Sequence, residues 1–239
     1  RSKNPAKAQS TTKNLLTQLS VFLKQKPKGL LMLALPPEIN DAQPFTWRGF
    51  KSIPSYTYRL NLSSGSERIY QEMMPERRND IKKAIKDSVE TIEVKEMTLV
   101  NDLVQKTFER QAKSIDTISL ERILQDFARP ENSYAMVSFQ EERPISACFC
   151  IFDQKTVYYL LGGYDDRNSH KGAGAAAIWK AIEKATMMKR EVFDFEGSMV
   201  PQIERYFRGF GGALTPYITI NRAALPIEIL LKFIKRDTF

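Results

Sequence analysis

The sequence has few of the residues from which disulfide frameworks and zinc sites are built. Its 239 residues include 2 cysteines and 1 histidine. Cys148 and Cys150 lie two residues apart in the apolar segment ISACFCIF, so on a strand their side chains share one face. A zinc site needs four ligands, and the chain has too few nitrogen and sulfur donors to supply them. We therefore expect two buried, reduced thiols, no metal site, and a reducing compartment such as the cytoplasm.

Long apolar runs are also lacking. None approaches the roughly 18 residues that a bilayer-spanning helix needs, so no integral membrane segment is predicted. The first residues, RSKNPAKAQS, contain neither Met nor the apolar core of a signal peptide, and the chain is expected to be a fragment or a processed product. With 42% hydrophobic and 27% charged residues, the composition is typical of one large or two small globular domains.

Acidic residues are outnumbered, and the net charge of +8 favours an anionic partner, such as a phosphate-rich cofactor, nucleic acid or a membrane surface. Part of this charge lies in residues 75–88, which begin with a proline suited to the first turn of a helix. Met74, Ile81 and Ile85 are expected to face the core. The basic side chains of this helix are candidates for contact with tRNA or nucleotide phosphates, or they form only a solvated face. They are Arg77, Arg78, Lys82, Lys83 and Lys86.

The apolar pattern predicts helices in the first part of the chain and mainly strands after Ser133. A helix over TTKNLLTQLSVFLKQ is expected to end at Pro27, followed by a buried strand, GLLMLALPPEI, and a loop over residues 40–54. The segments SYAMVSFQ, ISACFCIFD and KTVYYLLGGYDD read as strands, with a hairpin turn at EERP. Strands that feed a strand–helix–strand unit predict an α+β or α/β fold.

The segment GGYDDRNSHKGAGAAA leads from a strand into a helix and is the strongest candidate for a ligand site. Small residues at Gly172, Ala173 and Gly174 would let a ligand approach the backbone closely. The helix start offers N–H groups to a phosphate, and Arg167 and Lys171 add positive charge. The alternative interpretation is a small-residue helix start that packs tightly on a sheet, since a lone G-x-G is common.

The segment EVFDFEG places two acids, Asp194 and Glu196, on one face of a strand and two phenylalanines on the other. Such acids can accept a proton from an amine nucleophile or hold a cationic acceptor, and their proximity would raise one pKa toward neutrality. The alternatives are a solvated acid pair or an acid neutralised by Arg205 or Arg208. His170 is interpreted as a polar loop residue in preference to a general base.

This order of strand, glycine turn, helix, strand and short helix resembles the GNAT superfamily of acyltransferases. The blocks MPERRNDIKKAIKDSVE, TFERQAKS, YLLGGYDDRNSHKGAGAAAIWKAIEKA and FDFEGSMVPQIERYFRGFGGALTPYITI are similar, in this order, to the Fem-like branch. The resemblance runs from about Met74 to Arg222. It implies two GNAT-like halves, the first shortened: residues 1–97, residues 98–225, and a C-terminal helix over 226–239.

The resemblance also implies the reaction. An acyl or aminoacyl group would pass from acyl-CoA or aminoacyl-tRNA, bound as a substrate near Gly172, to an amine acceptor such as a peptidoglycan precursor. Asp194 and Glu196 would then border the acceptor. Ser169 stands where the family loop carries Arg or Gln. Phe207 stands where many members carry a Tyr acid, and Tyr206 would point about 100° away on a helix. These departures leave open an alternative, a catalytically degenerate module that binds an anionic partner through its basic surface.

Overall fold

The computed structural model describes residues 4–25, 29–111, 115–197 and 199–234. The chain divides into two compact units: unit 1 comprises Arg1–Tyr56 and Thr215–Phe239, and unit 2 comprises Thr57–Leu214. The predicted boundary between residues 97 and 98 does not coincide with this division, because residues 57–97 pack with the later strands and helices of unit 2. No helix in the described ranges is both long and apolar enough to cross a membrane.

The helices are α1 (Pro5–Lys24), α2 (Gln43–Thr46), α3 (Ser66–Glu72), α4 (Pro75–Lys86), α5 (Met97–Arg110), α6 (Thr117–Glu121, continued by a π-helical turn Arg122–Phe127), α7 (Ala173–Met187), α8 (Pro201–Arg208) and α9 (Leu225–Ile234). The strands are β1 (Leu30–Ala34), β2 (Lys51–Asn61), β3 (Glu90–Val94), β4 (Ser133–Gln140), β5 (Arg143–Phe152), β6 (Thr156–Tyr164), β7 (Val192–Asp194) and β8 (Ala213–Ala223).

Unit 2 is built on a mixed sheet in the order β2, β7, β6, β5, β4, β3. Its neighbours are antiparallel except β6 and β7, which are parallel and joined by the crossover helix α7. Side chains alternate between the faces of β4 and β5, so Met136 and Cys148 pack with α7 whereas Val137 and Phe149 pack with α5. The sheet thus has an apolar core on each face, and the predicted α+β or α/β class is confirmed.

Two local predictions for unit 2 are confirmed. The EERP hairpin joins β4 to β5 through Glu141 and Glu142, whose φ angles of 49° and 65° are those of a primed turn. Cys148 and Cys150 are free, buried thiols on one face of β5, with their sulfur atoms 3.7 Å apart. Burial raises the pKa of the Cys148 thiol well above its usual value, which keeps it protonated and unreactive.

Unit 1 has its own small core, formed by Leu16, Leu35, Phe45, Phe50 and Ile220. Strand β1 pairs with β8 and lies at the end of the strand order, so the prediction of a buried strand is wrong: Leu30 and Met32 are 48% and 49% exposed. The predicted loop over residues 40–54 is also wrong, since it contains α2 and the start of β2.

The terminal helices differ from the predicted bounds. Asn4 caps α1, because its Oδ1 accepts the backbone N–H groups of Ala6 and Lys7, and the helix therefore begins before the predicted segment. It ends at Lys24, and the predicted stop at Pro27 lies outside the described residues. Helix α9 lies within the predicted 226–239 helix as far as Ile234, and residues 235–239 are likewise outside the described ranges.

Candidate functional site

A cavity of about 620 Å³ opens in unit 2 where strands β6 and β7 separate. Their pairing ends at Tyr158 and Asp194, whereas β6 continues to Tyr164. Pairing with β5 is also interrupted at Leu160, where a β-bulge re-aims the strand. The cavity is bounded by this part of β6, the end of α5, the first turn of α7 and helix α8. Such a splayed pair leaves strand backbone accessible to a ligand.

Helix α8 contributes two adjacent aromatic side chains to the cavity, Tyr206 and Phe207. Phe207 stacks on Phe195 with ring centroids 5.0 Å apart. The Tyr206 hydroxyl lies at the first turn of α7, since a Cβ atom added to Gly174 would be 3.3 Å from it. The expectation that Tyr206 points away from the site is therefore wrong. The cavity-facing side of α8 is wide enough to include neighbours about 100° apart.

Burial raises the pKa of the Tyr206 phenol well above its usual value. Arg77 acts in the opposite direction: its guanidinium lies 4.4 Å from the centroid of the Tyr206 ring, and its positive charge lowers the pKa. Arg77 is itself paired with the buried Asp80 at 2.9 Å, and this carboxylate raises the Tyr206 pKa again. The phenol therefore holds its proton at physiological pH and can act as a hydrogen-bond or proton donor.

Gly172 and Gly174, the two glycines of the predicted phosphate loop, have different roles. Gly172 is a helix-packing residue, because a Cβ atom there would lie 2.1 Å from the backbone oxygen of Asp80 on α4. Ala173 is fully buried beside it. Gly174 and Lys171 line the cavity, whereas Arg167 lines a separate depression beside Ser169. The structure thus brings two of the five predicted loop residues to the cavity.

His170 caps the start of α7. Its Nδ1 accepts the backbone N–H of Gly172 at 3.1 Å, so its Nε2 carries the proton and donates to Asp87 at 3.1 Å. Its backbone oxygen accepts the N–H of Ala173 at 3.0 Å. His170 therefore satisfies two N–H groups of the helix start, which agrees with its interpretation as a polar loop residue.

Asp165 anchors the loop that precedes α7. Its carboxylate forms an ion pair with Lys106 at 2.7 Å and accepts hydrogen bonds from the backbone N–H groups of Arg167 and Asn168. The hydrogen bond from Lys106 is the largest of the effects that lower the pKa of Asp165 to about 2. The loop is consequently held by an ionised carboxylate throughout the neutral range.

Asp194 is buried at the end of β7 and is held by residues of β2. Thr57 Oγ1 donates to its Oδ1 at 2.6 Å, and Arg59 Nε lies 3.2 Å from its Oδ2. The neutralising cation is thus Arg59, whereas Arg205 and Arg208 lie beside Glu76 and Glu204. A local sequence pattern could not have predicted this ion pair, because Arg59 and Asp194 are paired across strands β2 and β7 but lie 135 positions apart in the chain.

Glu196 follows the strand with a φ angle of 57°, and its N–H donates to Asp194 Oδ1 at 2.9 Å. The side chain is exposed to solvent, but the protein atoms around it partly desolvate its carboxylate. This desolvation and the charge of Asp194 raise the pKa of Glu196 to about 7. Neither acid is among the described cavity-lining residues, and Phe195, the residue between them, stacks on the cavity residue Phe207.

Helix α4 does not present its basic residues as one patch. Arg77 is turned inward onto Tyr206, and Arg78 Nη1 donates to the backbone oxygen of Gln71 at 2.9 Å. Lys82, Lys83 and Lys86 are exposed. The predicted core positions Met74 and Ile85 are also exposed, whereas Asp80, Ile81 and Ala84 are buried. The reason is that α4 packs against the start of α7, so the side that faces Gly172 is the buried one.

Tyr159 is a cavity residue that the sequence did not indicate. Its hydroxyl occupies the space above Gly162, where an added Cβ atom would lie 2.0 Å away. Residues three apart on a regular strand point to opposite faces. The bulge at Leu160 shifts this alternation and brings Tyr159 over Gly162. Within the described ranges, no group of three or more His, Cys, Asp or Glu side chains is placed to hold a metal ion.

Comparison with known proteins agrees with this architecture. The profile of the acetyltransferase (GNAT) domain family matches residues 75–208, more than half of the chain. No curated protein sequence matches. The fold is similar to that of FemX, with a TM-score of 0.68 at 11% identity over 94% of this chain and 79% of that one. It is also similar to L-PGS from Bacillus licheniformis, with a TM-score of 0.58 at 11% identity over 84% and 71% of the two chains. The predicted GNAT-like fold is confirmed.

Proposed function

We propose that this chain, which belongs to the acetyltransferase (GNAT) domain family, transfers an acyl or aminoacyl group from acyl-CoA or aminoacyl-tRNA to an acceptor amine. The observation that carries the proposal is the Tyr206 hydroxyl, which stands inside the cavity at the first turn of α7. Both donors present a carbonyl carbon attached to a leaving group that bears phosphates. The cavity offers a protonated phenol, that of Tyr206, and a cation, Lys171, among its lining residues.

In the proposed reaction, the acceptor nitrogen attacks the carbonyl carbon and a C–N bond forms. The bond from carbon to the donor sulfur or oxygen then breaks. Tyr206 donates its proton to that sulfur or oxygen, and water returns a proton to the phenolate. The β7-facing backbone edge of β6 after Tyr158 is the proposed source of hydrogen bonds to the developing oxyanion.

Donor phosphates are proposed to bind at the cavity edge next to α7. The N–H groups of Gly172 and Ala173 already donate to His170, whereas the next residue of this helix start, Gly174, lines the cavity. Its N–H group is therefore the one proposed to bind a donor phosphate. Lys171, with an exposed side chain, supplies a charge beside it. Arg167 lies at a separate depression and is proposed to contact only an extended part of the donor.

Glu196 is proposed to act on the acceptor. A pKa of about 7 makes its carboxylate a fitting acceptor for the amine proton near neutral pH. Asp194 is proposed to position it, because Asp194 Oδ1 accepts the Glu196 N–H and its charge contributes to the raised pKa. Activity should then rise with pH through about 7, as Glu196 loses its proton, and Glu196→Gln should remove that dependence while leaving donor affinity nearly unchanged.

Isothermal titration with coenzyme A, acetyl-CoA and charged tRNA tests the donor. We expect saturable binding of one of these ligands by the wild-type protein. Charge reversal at Lys82 and Lys83 is expected to weaken tRNA binding alone, because both residues are exposed on α4 and do not line the cavity. No binding of any of the three by the folded protein would refute the transferase proposal. Binding without transfer would favour the degenerate module.

A further inference from the structure

The cavity reaches both faces of the unit 2 sheet, because strands β6 and β7 are separated there. Tyr206 and Phe207 of its wall pack in the core on the α7 face. Phe108, Leu160 and Leu161 pack against the core on the α5 face, and we call these three residues the α5 wall. A ligand that enters between the separated strands therefore meets a second wall besides the one that carries the phenol.

The α5 wall is apolar, and its three side chains are half-buried. Two hydroxyl groups that line the same cavity are already bonded within the protein. Thr107 Oγ1 donates to the backbone oxygen of Leu103 at 3.0 Å, and Ser146 Oγ donates to that of Gly163 at 3.1 Å. This side of the cavity therefore favours an apolar group, which gains free energy from its removal from water.

The charged side chains that line the cavity are positive. Among its described lining residues, Arg110 and Lys171 are cations, and none is Asp or Glu. The carboxylate of Asp80, whose charge raises the pKa of Tyr206, is already paired with Arg77 at 2.9 Å. An ammonium group brought into this cavity would lack a carboxylate partner, and the burial of an unpaired charge is unfavourable.

We propose that the group transferred is an uncharged, apolar acyl chain longer than acetyl, bound against the α5 wall. This inference rests on the proposed function, in which the donor carbonyl lies at Tyr206 and the leaving group lies toward Gly174 and Lys171. The acyl group is then the part of the donor that extends to the α5 wall. The cavity volume of about 620 Å³ is that of a site for a drug-sized ligand, which leaves room for such a chain.

Two other acyl groups fit the cavity less well. An aminoacyl ester carries an ammonium group next to its carbonyl carbon, so it would bring a third positive charge to a cavity in which no described lining residue is an acid. An acetyl group is neutral, but it is too short to cover the α5 wall. The acceptor is not restricted in this way, because it reacts as a neutral amine after it has lost its proton.

The test is isothermal titration of the whole chain with coenzyme A, acetyl-CoA, butyryl-CoA and β-alanyl-CoA. The last two have acyl groups of similar size, but β-alanyl ends in an ammonium group where butyryl ends in a methyl group. We expect butyryl-CoA to bind at least about tenfold more tightly than acetyl-CoA, since each buried methylene contributes roughly fourfold. We expect β-alanyl-CoA to bind at least about tenfold more weakly than butyryl-CoA, because its ammonium group is unpaired.

Phe108→Glu places a carboxylate in the α5 wall. It should lower the ratio of butyryl-CoA to β-alanyl-CoA affinity by at least about tenfold, because the new carboxylate can pair with the ammonium group. The matched control is Phe127→Glu, since Phe127 is 51% exposed and is not among the described lining residues. The control should keep the wild-type ratio. Circular dichroism checks the fold of both variants, and the wild-type titrations test the proposal even if Phe108→Glu does not fold.

The possible outcomes separate this inference from the proposed function. Equal affinity for the three acyl-CoA donors, tightest binding of β-alanyl-CoA, or an equal change of the ratio in both variants would overturn the inference and leave the proposed transfer standing. Binding of charged tRNA but of no acyl-CoA would do the same, since an aminoacyl group would then be transferred. If the folded protein bound none of these donors, the proposed function itself would be refuted, and the inference with it.

Discussion

Replacement of Gly172 with alanine distinguishes a glycine needed for helix packing from one needed for a ligand. The new Cβ atom would lie 2.1 Å from the backbone oxygen of Asp80 and 3.0 Å from the backbone nitrogen of Ala84. Both contacts are to the backbone of α4, which cannot rotate away as a side chain can. An ordinary contact requires about 3.4 Å, so α4 or α7 would have to move by roughly 1 Å.

Such overpacking costs about 1–3 kcal/mol, and we expect Gly172→Ala to lie near the upper limit because two helices must shift. In a chain of this size, 3 kcal/mol corresponds to a decrease of about 6–12 °C in Tm. Urea denaturation followed by circular dichroism measures the change in the free energy of unfolding. A loss below about 0.5 kcal/mol would refute the packing role of Gly172.

Gly174→Ala is the matched control. Its Cβ atom would lie 3.3 Å from the Tyr206 hydroxyl and 3.6 Å from Ser146 Oγ, both of which are ends of side chains that line the cavity. We expect stability within about 0.5 kcal/mol of the wild type and weaker donor binding, because the methyl group enters the cavity. If the two variants were equally destabilised, the assignment of different roles to the two glycines would be wrong.

Three further changes test the electrostatics by urea denaturation. Asp165→Asn should lower the free energy of unfolding by about 1 kcal/mol at neutral pH and leave it unchanged at low pH. The reason is that the ionised Asp165 carboxylate, whose pKa is lowered from 3.8 to about 2, stabilises the fold above pH 3.8, and this stabilisation is lost as the pH falls through about 2. Glu196→Gln should be as stable as the wild type below pH 4.5 and more stable by about 1 kcal/mol above pH 7. The raised pKa of Glu196 means that its ionised carboxylate destabilises the fold of the wild type at high pH, and the exposure of the side chain limits this effect. Arg77→Ala should cost about 3 kcal/mol, since it leaves the buried Asp80 carboxylate without the guanidinium 2.9 Å away; an unchanged stability would contradict that pairing.

Elements with strong local signals could be predicted from the sequence. The Pro75 start of α4, the hairpin at Glu141–Glu142 and the apolar helix α7 are each encoded within about 15 neighbouring residues. The resemblance of the ordered sequence blocks to the GNAT superfamily predicted the fold as well. Strand β1 shows the limit of such patterns, because an apolar run does not reveal whether the strand lies inside a sheet or at its edge.

The candidate site depended on contacts that no local pattern contains. The alignment of Tyr159 with Gly162 requires a bulge, and the place of Tyr206 depends on how α8 faces α7. Gly172 looks like a ligand-binding glycine until the backbone of α4 is seen against it. These features depend on how one element pairs or packs with another, namely β6 with β5, α8 with α7, and α4 with α7, and a single sequence does not specify that packing.

The most direct test of the proposed reaction is the single-turnover rate of transfer from the donor that binds, compared between the wild type, Tyr206→Phe and Tyr158→Phe. Tyr158 is the matched control, because its hydroxyl donates to Asp153 at 3.1 Å and it does not line the cavity. We expect Tyr206→Phe to lower the rate by about 100-fold with unchanged donor affinity, as for the loss of a general acid, and Tyr158→Phe to leave the rate unchanged. Equal rates for the wild type and Tyr206→Phe would contradict the role assigned to this phenol and the cavity as the site of transfer.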